Sequence, residues 1–192
     1  MENFYKLIEL SKRQNILIGI SVKKIVWEYR HIGLVKSITE NSILMKELNQ
    51  YGLVQNEKNI KLKDIKYVEI GGDYLEDLLL LYKQKVFKKL TKSRFVRTLT
   101  SKRGLEKLGS LQNDRTICSF MLNENYVTGI IQSWSNDDIL IKSVGFNGME
   151  DGYCSLILDS ITSIRFDGNF ERKVSFLHQQ KFQLKTPHLS FL

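Results

Sequence analysis

Apolar and polar residues alternate in short runs along this chain, and the runs occur twice in the same order. In the second half, Arg115 to Leu122 reads as a mixed apolar strand. Asn123-Glu124-Asn125 reads as a turn, because asparagine tolerates positive φ. Tyr126 to Trp134 is the next strand and Ser135 to Asp138 a tight polar turn. Ile139 to Val144 alternates at period two, with Ile139, Ile141 and Ser143 on one face. A glycine-rich loop, Gly145 to Gly152, leads to two short strands, Tyr153 to Leu158 and Thr162 to Phe166. Asp159-Ser160-Ile161 between them reads as a one-turn kink. Asn169 stands as a helix N-cap before Phe170, Val174 and Leu177 at helical spacing.

The first half repeats this order. Strands are expected at Ile16 to Val22, Ile25 to Tyr29, Ile32 to Ile38, Ser42 to Leu48, Ile60 to Leu62 and Ile65 to Ile70. Asp73 is the expected cap of a helix with Leu75, Leu78, Leu79, Tyr82 and Val86 on one side.

A shift of 96 residues superimposes the halves without a gap from 33/129 to 83/179. Gly33 meets Gly129, Ile43-Leu44 meets Ile139-Leu140, Lys46 meets Lys142, Gly52 meets Gly148 and Leu81 meets Leu177. Apolar positions and glycines match while charges mostly do not, the pattern of a preserved fold. A unit of roughly 60 residues buries a core only if its sheet curls onto itself. The expected class is therefore mainly β with helices (α+β): two tandem five-stranded barrels related by duplication, each followed by a helix. The expected division is 1–97 and 98–192, with the first helix running on into the segment that joins the barrels.

Gly129-Ile130-Ile131, the tight turn and Ile139-Leu140-Ile141, followed by the kinked pair of strands from Ser155 to Phe166, resemble an Sm motif. The chain is similar in this respect to Sm-like and SH3-like small barrels over about 55 residues of each half. For an Sm-like protein the resemblance implies single-stranded RNA binding and ring assembly. Where Sm proteins usually carry an acidic residue and an asparagine, this chain has Thr39 and Ile43, then Ser135 and Ile139, so no binding residue is carried over.

Charge changes the picture more than composition does. The net charge is +8, with lysine outnumbering arginine and alanine absent, as an AT-rich coding sequence produces. Mutational bias is one source of such basicity, so the distribution of charge matters more than its total. Residues 83–109 hold Lys83, Lys85, Lys88, Lys89, Lys92, Arg94, Arg97, Lys102, Arg103 and Lys107 against one carboxylate, Glu106, and interleave Phe87 and Phe95. A solvated helix face and linker is the plain reading of this stretch. It also suits a polyanion, because each phosphate neutralised releases counterions. Lys85, Lys88, Lys89, Lys92, Arg94, Arg97, Lys102 and Arg103 are the candidate binding residues for RNA or DNA. An acidic protein, an anionic membrane surface and a second copy of the chain are the other partners compatible with it.

No set of residues points to catalysis. His31, His178 and His188 lack ligand spacing with one another or with Cys118 and Cys154, so no metal or other cofactor is expected. Ser155, His178 and Asp159 compose a triad only on paper, with no strained nucleophile turn. Asp137-Asp138 and Glu150-Asp151 read as solvated turn carboxylates, and Gly145 to Gly148 lacks the lysine and helix of a phosphate loop. Trp27 and Trp134 read as core or rim residues. Met1 to Leu10 carries charges and no apolar leader, so a cytoplasmic location is the default. The expectation is a non-enzymatic nucleic-acid-binding accessory or regulatory protein. The alternative is an adaptor or immunity-type module that binds a protein through barrel edges.

Overall fold

Four α-helices and two antiparallel sheets make up the described part of this α+β chain. The computed structural model describes residues 2–22, 30–99 and 101–185. The expected strand at Ile25 to Tyr29, with Trp27, and the terminal Pro187 and His188 lie outside the described residues. The chain divides into two compact units, Met1–Lys89 and Leu90–Leu192. The expected division at 97/98 falls inside the second of them.

The first unit opens with α1 (Glu2–Gln14), where Phe4, Leu7, Ile8 and Ser11 recur at helical spacing. Then follow β1 (Ile18–Ser21), β2 (Arg30–Ile38), β3 (Ser42–Leu48), β4 (Val54–Lys61), a one-turn 3-10 helix at Leu62–Asp64, β5 (Tyr67–Ile70) and α2 (Asp73–Lys83). Hydrogen bonding orders the sheet β4-β3-β2-β1-β5. Ile8 of α1 packs on the face formed by Ile18, Ile20, Val35, Ile43 and Met45.

The second unit begins with β6 (Arg94–Val96) and α3 (Lys102–Asn113). It continues through β7 (Ile117–Met121), β8 (Tyr126–Trp134), β9 (Asp138–Val144), β10 (Glu150–Ile157), a 3-10 turn at Leu158–Ser160, β11 (Ser163–Phe166) and α4 (Asn169–Lys185). Its sheet runs β10-β9-β8-β7-β11-β6. Period two sorts β7 between two layers. Cys118 and Phe120 join Leu108 and Leu111 of α3, while Ile117 joins Ile130, Val144 and Val174 of α4.

The two sheets share their register. Gly33 pairs with Glu47 in the first, and 96 residues on Gly129 pairs with Ser143. A Cβ on Gly33 would overlap the Lys46 carbonyl, and one on Gly129 the Lys142 carbonyl. Gly52 and Gly148 both have positive φ and lie against helix backbone at Leu81–Tyr82 and Leu177–His178. N-terminal to β2 the spacing becomes 100, since Ile18 pairs with Gly33 and Cys118 with Gly129. The difference lies in the number of residues between the paired strands, four from β7 to β8 and eight from β1 to β2.

Several expectations need correction. The second sheet has six strands, not five, because Arg94–Val96 pairs antiparallel with β11. The end strands of each sheet, β4 and β5 in the first and β10 and β6 in the second, share no ladder among the described residues. Helices precede the strands as well as follow them: α1 stands before β1 and α3 before β7. Gly72, not Asp73, is the N-cap of α2. β4 and β10 begin earlier than expected, at Val54 and Glu150, and β10 carries an irregularity between Glu150 and Tyr153.

The helix α2 does not run on into the basic segment. Lys85 adopts left-handed φ of 48°, Val86 N–H donates to Leu81 O, and Lys85 N–H donates to Tyr82 O. This is a Schellman stop, and Phe87 then turns inward against Tyr51, ring centroids 5.5 Å apart. A left-handed lysine costs about 1–2 kcal/mol. Lys85→Gly is therefore expected to stabilise the first unit by about 0.5–1 kcal/mol, after the added entropy of the unfolded chain is counted. A rise in its urea midpoint is the check.

Candidate nucleic-acid interface

The basic segment is divided between the two units. Lys85, Lys88 and Lys89 are exposed at the end of the first, beyond the α2 stop. Lys92, Arg94, Arg97, Lys102 and Arg103 are exposed on the second. Arg94 makes a loose pair with Asp167 at 3.6 Å, both side chains largely solvated. Such a pair contributes little. Among the described residues, none of the other seven forms an ion pair.

Three of these residues converge. Arg94, Arg97 and Arg103 line one groove of about 830 Å³ in the second unit, together with Lys107, Phe95 and Phe166. One wall is β6 and the loop after it. The other is a face of α3, where Arg103 and Lys107 stand one turn apart. Glu106 is the single carboxylate on the lining. Lys107 places its ammonium 4.8 Å from the centroid of the buried Phe166 ring. Phe95 is 51% exposed on the edge strand. Lys92 and Lys102 do not line the groove.

Local chemistry holds the two walls together. Ser101 caps α3, accepting from Gly104 N–H at 3.1 Å, and its hydroxyl donates to Thr98 O at 2.8 Å. A Cβ at Gly104 would overlap that same Thr98 carbonyl, so the absence of a side chain lets the helix approach the loop. The start of the segment is clamped by Asn169. Its Oδ1 accepts from Thr91 N–H at 2.9 Å, and its Nδ2 donates to Thr91 O at 3.0 Å. Asn169 is thus the first residue of α4 and a tether for the basic segment, a long-range role with no local signal in the sequence. Phe166 and Lys107 also escape sequence reasoning, because the groove forms only when β6 joins β11.

The remaining constellations stay apart. Ser155 donates to Asp138 at 3.0 Å, and His178 Nδ1 lies 3.0 Å from Gly148 O. Hydrogen bonds from Ser135 and Ser155 hold the Asp138 carboxyl below the usual range. Glu150 pairs with Lys142 at 2.7 Å. Burial, reinforced by the Glu171 and Asp167 charges, pushes the Cys118 thiol up to about 12, and burial also raises Cys154. Both cysteines are free. Among the described residues no three metal-ligating side chains converge, and no helix is long and apolar enough to cross a membrane. Trp134 packs on the core of the second unit.

Fold and site together define an α+β protein of two antiparallel sheets with a cation-lined groove on the second. No protein-family model, curated protein or solved structure matches the chain.

Proposed function

We propose that this chain is a non-enzymatic nucleic-acid-binding protein, an accessory or regulatory factor whose affinity comes from residues 83–109. The carrying observation is the set of eight exposed cations, seven of them outside any ion pair among the described residues, three of which line one groove together with the exposed Phe95. Counterion release by such a set drives binding to phosphate backbones with little regard to sequence.

In this reading the frame is an internal duplication of one small Sm-like or SH3-like barrel. The shared spacing of 96 residues from β2 to α4 supports it, as do the glycines that meet the same backbone atoms in both halves. The leading helices α1 and α3, both ended by a left-handed residue at Asn15 and Arg115, support it too. The test is retention of labelled single-stranded RNA by the full chain. Replacing Lys88, Lys89, Lys92, Arg94 and Arg97 with glutamine is expected to weaken binding at least a hundredfold at moderate salt. Unchanged affinity refutes the reading.

One observation favours a second reading, a protein-interaction module. On the edge strand β10, Tyr153 and Ile157 are exposed beside Leu140 of β9, an apolar strip open to strand addition. Recovery of one stoichiometric protein, unaffected by nuclease, would support that reading instead.

A further inference from the structure

The basic segment does not act as a uniform charged tether in this structure. Its second part is folded into a site, and we infer that the groove between β6 and α3 takes an unpaired polynucleotide strand, with a base stacked on Phe95. This inference rests on the nucleic-acid reading above and narrows it to a ligand class and a place.

Three observations point to a single strand. First, the ring of Phe95 is half exposed on a three-residue edge strand, while its neighbour Val96 turns to the core. An exposed ring beside arginines provides a stacking platform of the kind single-strand binders use for any base. Stacking needs an unpaired base, because a duplex keeps its π-faces inside. Second, cations stand on both walls: Arg94 and Arg97 on the strand side, Arg103 and Lys107 on the helix side. A backbone lying along the groove is thus met from two directions, by guanidinium groups whose planar forks suit phosphate. Third, the N-terminus of α3 opens at the same groove, with no acidic residue in its first turn. Its partial positive charge adds to that of the side chains. The ribose and deoxyribose forms share this chemistry, since nothing in the argument uses the 2′-hydroxyl.

Full-length protein is titrated against labelled oligo(U), oligo(dT), a blunt duplex and phosphatidylserine vesicles. Phe95→Ala is expected to weaken binding of both single strands by about 5- to 150-fold, the range of one lost stack, and to leave duplex binding unchanged. Phe95→Trp should retain the affinity. Arg97→Gln with Arg103→Gln should lower the slope of log affinity against log salt by about 1.4. Oligo(U) bound more tightly than oligo(dT) identifies RNA as the source of the strand, and equal affinities support a general single-strand site. If Phe95→Ala binds like the parent, and the loss instead follows Lys85→Gln, Lys88→Gln and Lys89→Gln, the groove assignment is wrong while the nucleic-acid reading stands. If the parent protein binds only vesicles, or nothing, the underlying reading is itself overturned.

Discussion

Glu171→Ala is expected to destabilise the second unit by about 2–4 kcal/mol, because it removes one partner from a buried charged pair. Glu171 is 2% exposed, and its Oε1 accepts from Ser119 Oγ at 2.5 Å and from Arg165 Nε at 2.7 Å. Truncation leaves the Arg165 guanidinium without its counter-charge and Ser119, fully buried, without its acceptor. The first sheet does without a buried carboxylate at the position 96 residues before Glu171. There the corresponding positions are Leu75, Glu69 and Gly19, and Leu75 is buried as an ordinary apolar residue. Pairing Glu171→Leu with Arg165→Met should therefore recover most of the loss, since an apolar pair of similar volume avoids the desolvation of two charges. Urea unfolding in a Trp27→Phe background, where Trp134 alone reports, measures both variants. An unchanged midpoint for Glu171→Ala, or a double variant no better than the single, contradicts this account of the α4 seam.

Strands were legible where one face is buried and the other wet. Ser42–Leu48 and Tyr126–Trp134 begin and end at the expected residues. Ile139 and Ile141 are fully buried while Leu140 is exposed, as period two requires. The edge strands β4 and β10 extend beyond their expected bounds because most of their residues are exposed and carry no alternation. The leading helices carry weak local signals, for different reasons. α1 has a stripe, Phe4, Leu7 and Ile8, but the charged residues between them dilute its apolar signal. α3 contains Gly104 and Gly109, which lower helix propensity. Gly104 is needed there for the approach of Thr98, a tertiary requirement that no local window contains.

The candidate site was half legible. Charge segregation into 83–109 is a property of composition and needed no structure. The gathering of Arg94, Arg97 and Arg103 was not, because it depends on β6 adding to β11 over a long sequence separation. A continued α2 would spread these residues around a helix. The left-handed turn at Lys85 and the Asn169 clamp on Thr91 give the segment a different course.

The second large effect is the response of binding to salt. For a single strand, log affinity falls with log salt by about 0.7 per phosphate neutralised. The four cations of the groove alone give a slope of about −3. Adding Lys85, Lys88, Lys89, Lys92 and Lys102 to them gives about −6, a loss of several thousandfold between about 50 and 200 mM salt.

The measurement is the affinity of the full chain for oligo(U) RNA across that range. The account predicts a straight line with a slope between about −3 and −6. A flat line, or no retention of RNA at the lowest salt, contradicts it.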